Sequence, residues 1–181
     1  MAGELDYEVK YIDGKRDGEC KEYYDTGELE FEGEYLDGKK NGLGKRYYKN
    51  GKLEYEGKYL KGKRNREGKE YFSTGNLKFE GKYLEGKKWN GIGYNKNNTI
   101  DFEIKNGNGE FKEYYDNDVI KFEGKYLNGE RNGKAKKYYK DGKLKFVGEY
   151  KHDKKWNGKV YMYYSDGERF ILRKYINGLR K

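Results

Sequence analysis

The 181-residue chain has no proline, one cysteine and one histidine, and Leu, Ile, Val and Phe together supply only about 17% of it. That aliphatic share lies below the roughly 20% under which a charged chain is suspected of disorder. With 40% of the residues charged, it excludes a layered α/β enzyme built on a large aliphatic core. The missing proline removes Pro-rich linkers, and no Ser-rich or Gly-rich stretch is long enough to separate two domains, so one continuous domain over residues 1–181 is expected. Cys20 alone can form no internal disulfide, and cytoplasm is the default expectation. The opening MAGELDYEVK has no apolar h-region, which argues against a secretory signal and makes Asn97-Asn98-Thr99 a chance match to a glycosylation acceptor. Apolar runs such as Phe170-Ile171-Leu172 are far too short to span a bilayer, so any membrane contact is expected to be peripheral.

What the chain does have is 22 Tyr and 27 Gly, recurring at fixed positions. Aligning Leu5, Leu29, Leu53, Leu77 and Leu144 superposes blocks that begin LEFEGEYLDGKKNGLGKRYYKNGK. About seven and a half such blocks fill the chain, with a short, atypical one at 99–118 and a truncated one at 169–181. Phe31, Gly33 and Tyr35 alternate with Glu30, Glu32 and Glu34, which is the period of a strand with unlike faces. A second run, Gly42 to Tyr48, completes a hairpin. Thr26-Gly27, Asn50-Gly51 and Asp141-Gly142 take the place of two-residue turns, and Asp37 to Gly42 that of a longer loop at the opposite edge. The fold expected is all-β: an elongated, single-layer antiparallel meander of repeated hairpins. Mid-strand Gly33, Gly57, Gly81, Gly124 and Gly148 are expected to lie beneath a tyrosine ring from the next strand, with Val9 and Arg173 at that place in the outermost strands. The block from Thr99 departs from the pattern, with Phe102 at the glycine place and Lys105 running directly into Asn106-Gly107.

The recurring FEGEYL…GKKNGLG and FEGKYL…GERNG strings resemble the MORN repeat (membrane occupation and recognition nexus), most closely its variant form. The resemblance implies an elongated, twisted antiparallel sheet and a role as a scaffold that dimerises or tethers components near membranes. The variant branch also includes bacterial proteins described as antitoxins.

Chemistry beyond binding finds little support in the residues. GxxxxGK at Gly33–Lys39, Gly57–Lys63 and Gly81–Lys87 lacks the Ser or Thr and the following helix that a phosphate-binding loop needs. His152 has no second histidine or thiol cluster with which to hold a metal. Glu30, Glu32 and Glu34 recur in register with the repeat and belong to its polar face, not to a catalytic pair. No catalytic residue, metal or cofactor is therefore expected.

The candidate binding edge is a ladder of loop residues, namely Lys39, Lys40, Lys63, Arg64, Lys87, Lys88, Lys154 and Lys155, with Trp89 and Trp156 inserted after two of the pairs. With a net charge of +9, such an edge suits an acidic protein partner or anionic lipid. Acidic neighbours such as Asp37, Glu85 and Asp153, and the use of lysine for solubility and edge protection, form the competing explanation. The expected function is a non-enzymatic scaffold or adaptor binding a protein partner and an anionic membrane surface through its repeat loops and aromatic sheet face. Antitoxin-like occlusion of a toxin and carbohydrate binding on the tyrosine face stay open as alternatives. Nucleic acid is disfavoured because aromatic and basic residues fall at different places in the repeat. A homodimer stays open as well.

Overall fold

The computed structural model describes residues 9–168 and 170–181. Leu5, from which the first block is counted, and Arg169, which opens the truncated one, lie outside the described residues. The described chain is all-β: β1 (Val9–Ile12), β2 (Lys15–Tyr23), β3 (Leu29–Leu36), β4 (Lys39–Tyr47), β5 (Leu53–Leu60), β6 (Lys63–Tyr71), β7 (Leu77–Leu84), β8 (Lys87–Tyr94), β9 (Ile100–Ile104), β10 (Gly109–Tyr114), β11 (Ile120–Leu127), β12 (Glu130–Tyr138), β13 (Leu144–Lys151), β14 (Lys154–Tyr163), β15 (Phe170–Ile176) and β16 (Leu179–Arg180). Strands neighbouring in sequence are neighbours in space, in one nine-stranded sheet, β1 to β9, and one seven-stranded sheet, β10 to β16. Two compact units divide at Ile100, where the atypical block begins.

The turns reverse the expected assignment. Asp37 and Gly38 alone connect β3 to β4, with φ of 51° and 76°, the two positive values of a type I′ turn. Asp13-Gly14, Glu85-Gly86 and Asn128-Gly129 repeat the pattern, as does Asn106-Gly107, so the atypical block keeps its turn. The connections at Asn50-Gly51 are the longer ones: the Tyr48 N–H donates to Lys52 O (2.8 Å) and the Gly51 N–H to Tyr48 O (2.9 Å). The expected loop from Asp37 to Gly42 is no loop beyond Gly38, because Lys39 to Tyr47 is one continuous strand. Hairpins are stitched to one another at both ends. The Gly62 N–H donates to Lys40 O (2.8 Å), and the phenols of Tyr24 and Tyr48 donate to the carbonyls of Tyr47 and Tyr71 at 2.6 and 2.8 Å, which accounts for the second tyrosine of those two Tyr-Tyr pairs.

The core is a ladder of rings along one side of each sheet. Phe31, Tyr55, Phe79, Phe122 and Phe146 are fully buried. In the first unit, Phe31 meets Tyr35 and Tyr59, and Tyr55 meets Tyr59 and Tyr83, all edge to face with centroids 5.3–5.8 Å apart. These are the residues two before the strand glycines, and they correct the expected packing. The ring against Gly44 and Gly68 comes from Phe31 and Tyr55, beside the opposing strand's backbone, and the glycine of a first strand is pressed on its partner glycine: a Cβ on Gly57 would lie 2.6 Å from Gly68 Cα. The glycines pair across strands, Gly33 with Gly44 and Gly57 with Gly68, so that backbone meets backbone beneath the rings. In the second unit Phe102 and Phe111 take these places, with ring centroids 5.4 Å apart, and Phe111 stacks on Tyr126 at 3.6 Å.

Candidate binding face

Strand alternation places Phe31, Gly33 and Tyr35 on the ring side and Glu32, Glu34 and Leu36 on the open side. This parity divides the predicted basic edge. Lys40, Arg64 and Lys88 turn to the ring side, where their charges sit 3.8, 4.2 and 4.6 Å from the ring centroids of Phe31, Tyr55 and Phe79. In the second unit Lys155 does the same, 5.3 Å from Phe146. Burial, with Lys137 and Lys145 nearby, holds its ammonium below the usual lysine range. Only the first member of each pair, Lys39, Lys63, Lys87 and Lys154, remains exposed. The expected ladder of paired charges is therefore half as dense as the sequence suggests, because adjacent strand residues face opposite ways.

On the ring side of the first unit the inward cations hold half-buried carboxylates. Glu70, its side chain 12% exposed, accepts from Arg64 at 2.5 Å and from the Tyr83 phenol at 2.9 Å, and pairs with Lys88 at 2.9 Å. Burial alone would raise its pKa, but Lys88 and Arg64 outweigh that and hold the carboxyl well below the usual range. Glu22 is bound in the same way by Arg16, the Tyr35 phenol and Lys40. Glu113 in the second unit takes both oxygens to Arg131, at 2.6 and 2.7 Å. Every group in these clusters is satisfied by its neighbours, so they hold the sheet and offer no reactive acid.

The open side is different. Each first strand ends on an exposed aliphatic residue directly opposite a lysine: Ile12 faces Lys15, Leu36 faces Lys39, Leu60 faces Lys63 and Leu84 faces Lys87. The four aliphatics are 45–53% exposed and recur once per hairpin, about 10 Å apart. Trp89 extends this stripe. It lies in β8 as a single bulged residue between Lys88 and Asn90, and shares a depression with Leu84, Lys58 and Lys82. The expected insertion of a tryptophan into a loop is thus corrected. Gly91, not Gly86 or Gly93, pairs with Gly81, and the tryptophan strand is one residue shorter between its lysine and that glycine than β4 is. Trp156 sits equivalently in β14, with Lys151 over its ring at 4.7 Å and Gly178 against it.

Beside the stripe runs a groove whose floor is the backbone row Cys20, Gly33, Gly44, Gly57, Gly68, Gly81 and Gly91, each paired with the next. It comprises two overlapping depressions of about 510 and 650 Å³ that share Leu43, Gly44 and Lys45. One wall alternates in charge across the strands: Lys21, Glu32, Lys45, Glu56, Lys69, Glu80. The phenols of Tyr47, Tyr71 and Tyr94 donate to Glu32, Glu56 and Glu80 at 2.7, 2.6 and 2.7 Å. Partial burial and these bonds push the phenols of Tyr47 and Tyr71 up to about 12. The second unit has its own groove of about 730 Å³, floored by Phe102, Phe111, Gly124 and Ala135.

Sequence reasoning missed both the stripe and the groove. The leucine closing each GxYL string was visible at 24-residue spacing, but its side could be assigned only once the turn was placed. Among the described residues no group of three or more His, Cys, Asp or Glu converges as a metal site, and no helix is long and apolar enough to cross a membrane. His152 is an exposed turn residue with Nδ1 3.0 Å from Glu130.

Comparison with curated proteins finds no match. The family model described as MORN repeat variant matches residues 16–37, 107–128 and 131–152, and the one described as MORN repeat matches 31–52 and 55–77. Each matched segment begins inside one hairpin and runs past its end, four of the five reaching the next hairpin. With these segments covering most of a chain whose strands, turns and ring ladder all recur on the same repeat, the protein belongs to the MORN-repeat family, whose repeats are non-catalytic modules that generally bind proteins or membranes.

Proposed function

We propose that the protein is a non-enzymatic scaffold or adaptor that docks a protein partner along the open-side stripe of its first unit. The observation that carries this reading is the recurrence, once per hairpin, of Ile12, Leu36, Leu60 and Leu84 in exposed positions, in a chain with few aliphatic residues to spare. Burying a leucine fully is worth about 1.5–3 kcal/mol, whereas an exposed ion pair contributes at most about 1 kcal/mol, so the aliphatics would dominate binding and the lysines would set orientation. A mixed stripe favours a protein over a bilayer: Asp37 lies 3.3 Å from Lys15, and Glu85 3.9 Å from Lys63, which weakens the pull on anionic lipid.

The test is affinity capture from native cells, comparing the parent with a Leu36→Ser, Leu60→Ser, Leu84→Ser variant. Substitutions at such exposed positions should change stability by about 0.5 kcal/mol or less each. A protein retained stoichiometrically by the parent should fall at least about tenfold with the variant, a loss of about 1.4 kcal/mol or more. Equal retention by both would remove the stripe from the account. Salt-sensitive sedimentation with phosphatidylserine vesicles, abolished by Lys39→Ala, Lys63→Ala and Lys87→Ala together, would replace the protein partner with a membrane surface.

A further inference from the structure

We propose that the glycine-floored groove of the first unit is a docking site for a polyproline II segment carrying an acidic residue at every third position. This site is separate from the leucine stripe and does not depend on it. Three observations lead to it.

The first is width. The groove lies between side chains two residues apart on each strand, about 6.8 Å, over a floor that presents backbone only. An α-helix with its side chains is about 10–12 Å across and would ride above such a floor, while a slim extended chain can settle on it. The second is period. Equivalent positions on successive hairpins lie two strands apart, about 9.6 Å. A polyproline II helix repeats every three residues, about 9.3 Å, so its third residues stay in phase with the hairpins, whereas the same-side residues of a β-strand recur at about 6.8 Å and do not. From β2 to β8 the floor runs six strand spacings, about 29 Å, the length of about nine polyproline II residues.

The third is charge. Lys21, Lys45 and Lys69 are exposed on one wall at the hairpin period. The acids between them, Glu32 and Glu56, already accept the phenols of Tyr47 and Tyr71, and Lys45 makes only a long, exposed pair with Glu32 at 3.8 Å. A ligand with a carboxylate at every third residue would place each one at a lysine and none at a glutamate. The half-buried Tyr47, Tyr71 and Tyr94 hold the glutamates of the same wall at the same interval, which keeps those carboxylates engaged within the protein.

The experiment is fluorescence anisotropy of the whole protein at low ionic strength with fluorescein-labelled (Pro-Pro-Glu)3. The comparison peptide has the same composition with its three glutamates adjacent at one end. Saturable binding at least about tenfold tighter for the periodic peptide is expected, and Lys45→Glu with Lys69→Glu should abolish that preference. If that pair compromises folding, as a shifted melting curve would reveal, Lys45→Gln with Lys69→Gln should lower affinity by a smaller factor in the same direction. The Leu36→Ser, Leu60→Ser, Leu84→Ser variant should bind (Pro-Pro-Glu)3 unchanged, so that the stripe and the groove stand or fall separately. Absence of saturable binding would overturn the proposal, as would equal affinity for the two peptides or tighter binding of a β-1,4-linked oligosaccharide.

Discussion

Glu70→Ala is expected to cost about 3 kcal/mol, the lower end of the usual penalty for removing one partner of a buried ion pair, because Arg64 keeps a second carboxylate, Glu54, at 3.2 Å. Arg64 and Lys88 both point at Glu70 from a layer of rings, and Tyr83 loses the acceptor for its phenol. Their charges cannot simply turn to water, because each is held over an aromatic face, Arg64 over Tyr55 and Lys88 over Phe79. Urea unfolding of parent and variant, monitored by far-UV circular dichroism and tyrosine fluorescence, checks the value. A loss below about 1 kcal/mol would mean that the cluster behaves as a surface pair. The same carboxylates set the acid limb of stability. Glu22, Glu70 and Glu113 are all held below the ordinary range in the folded chain. Their contribution is therefore complete above the unfolded value of about 4.3 and is lost as pH falls from there toward the folded values. At the other end, the phenols of Tyr47, Tyr71 and Tyr138 are raised to about 12, so their contribution is complete below about 10 and is lost as pH rises from 10 to 12. Melting temperature should be level between about pH 5 and 9.5 and fall on both sides, and Glu70→Gln should show a shallower acid limb than the parent.

Gly57→Val should destabilise the first unit by about 3 kcal/mol or more, even though valine is the better strand former in isolation. Gly57 has a φ of +157°, and a Cβ there would meet the Tyr55 hydroxyl at 2.5 Å, Gly68 Cα at 2.6 Å and Glu67 O at 2.7 Å. The ring end can shift; the two backbone atoms belong to β6 and can move only if the strands separate. Gly14→Ala makes an informative comparison, since a Cβ at that turn meets nothing within 4 Å and the cost there is only that of its left-handed conformation, about 1 kcal/mol. A Gly57→Val melting temperature at or above the parent's would mean that the paired glycines are not needed for close strand approach.

Much of this architecture could be read from the residues alone. Period-two alternation around Phe31 and Tyr35 settles the strands, and the 24-residue recurrence settles that hairpins repeat, because both depend on local backbone geometry that every copy shares. Phe102 at the glycine place marks the block at 99–118 as a departure from the pattern, and the compact units divide at Ile100. What local pattern could not decide was register. Asp37-Gly38 and Asn50-Gly51 are both acceptable turn dipeptides, and only cross-strand pairing shows that the first is the tight one. That choice moves Lys39 and Lys40 from a loop into a strand, where they face opposite ways, and so turns half of a supposed basic edge inward, with Lys40, Arg64 and Lys88 holding half-buried carboxylates. The ring over each glycine was misassigned for the same reason: the neighbours of Gly44 are set by which strand residues lie opposite one another. Composition and periodicity thus determine that this chain is a ladder of hairpins with unlike faces. Which side chains those faces expose, and hence where a partner can bind, is decided by pairing between residues distant in sequence, since a shift of one residue in a strand exchanges its two sides.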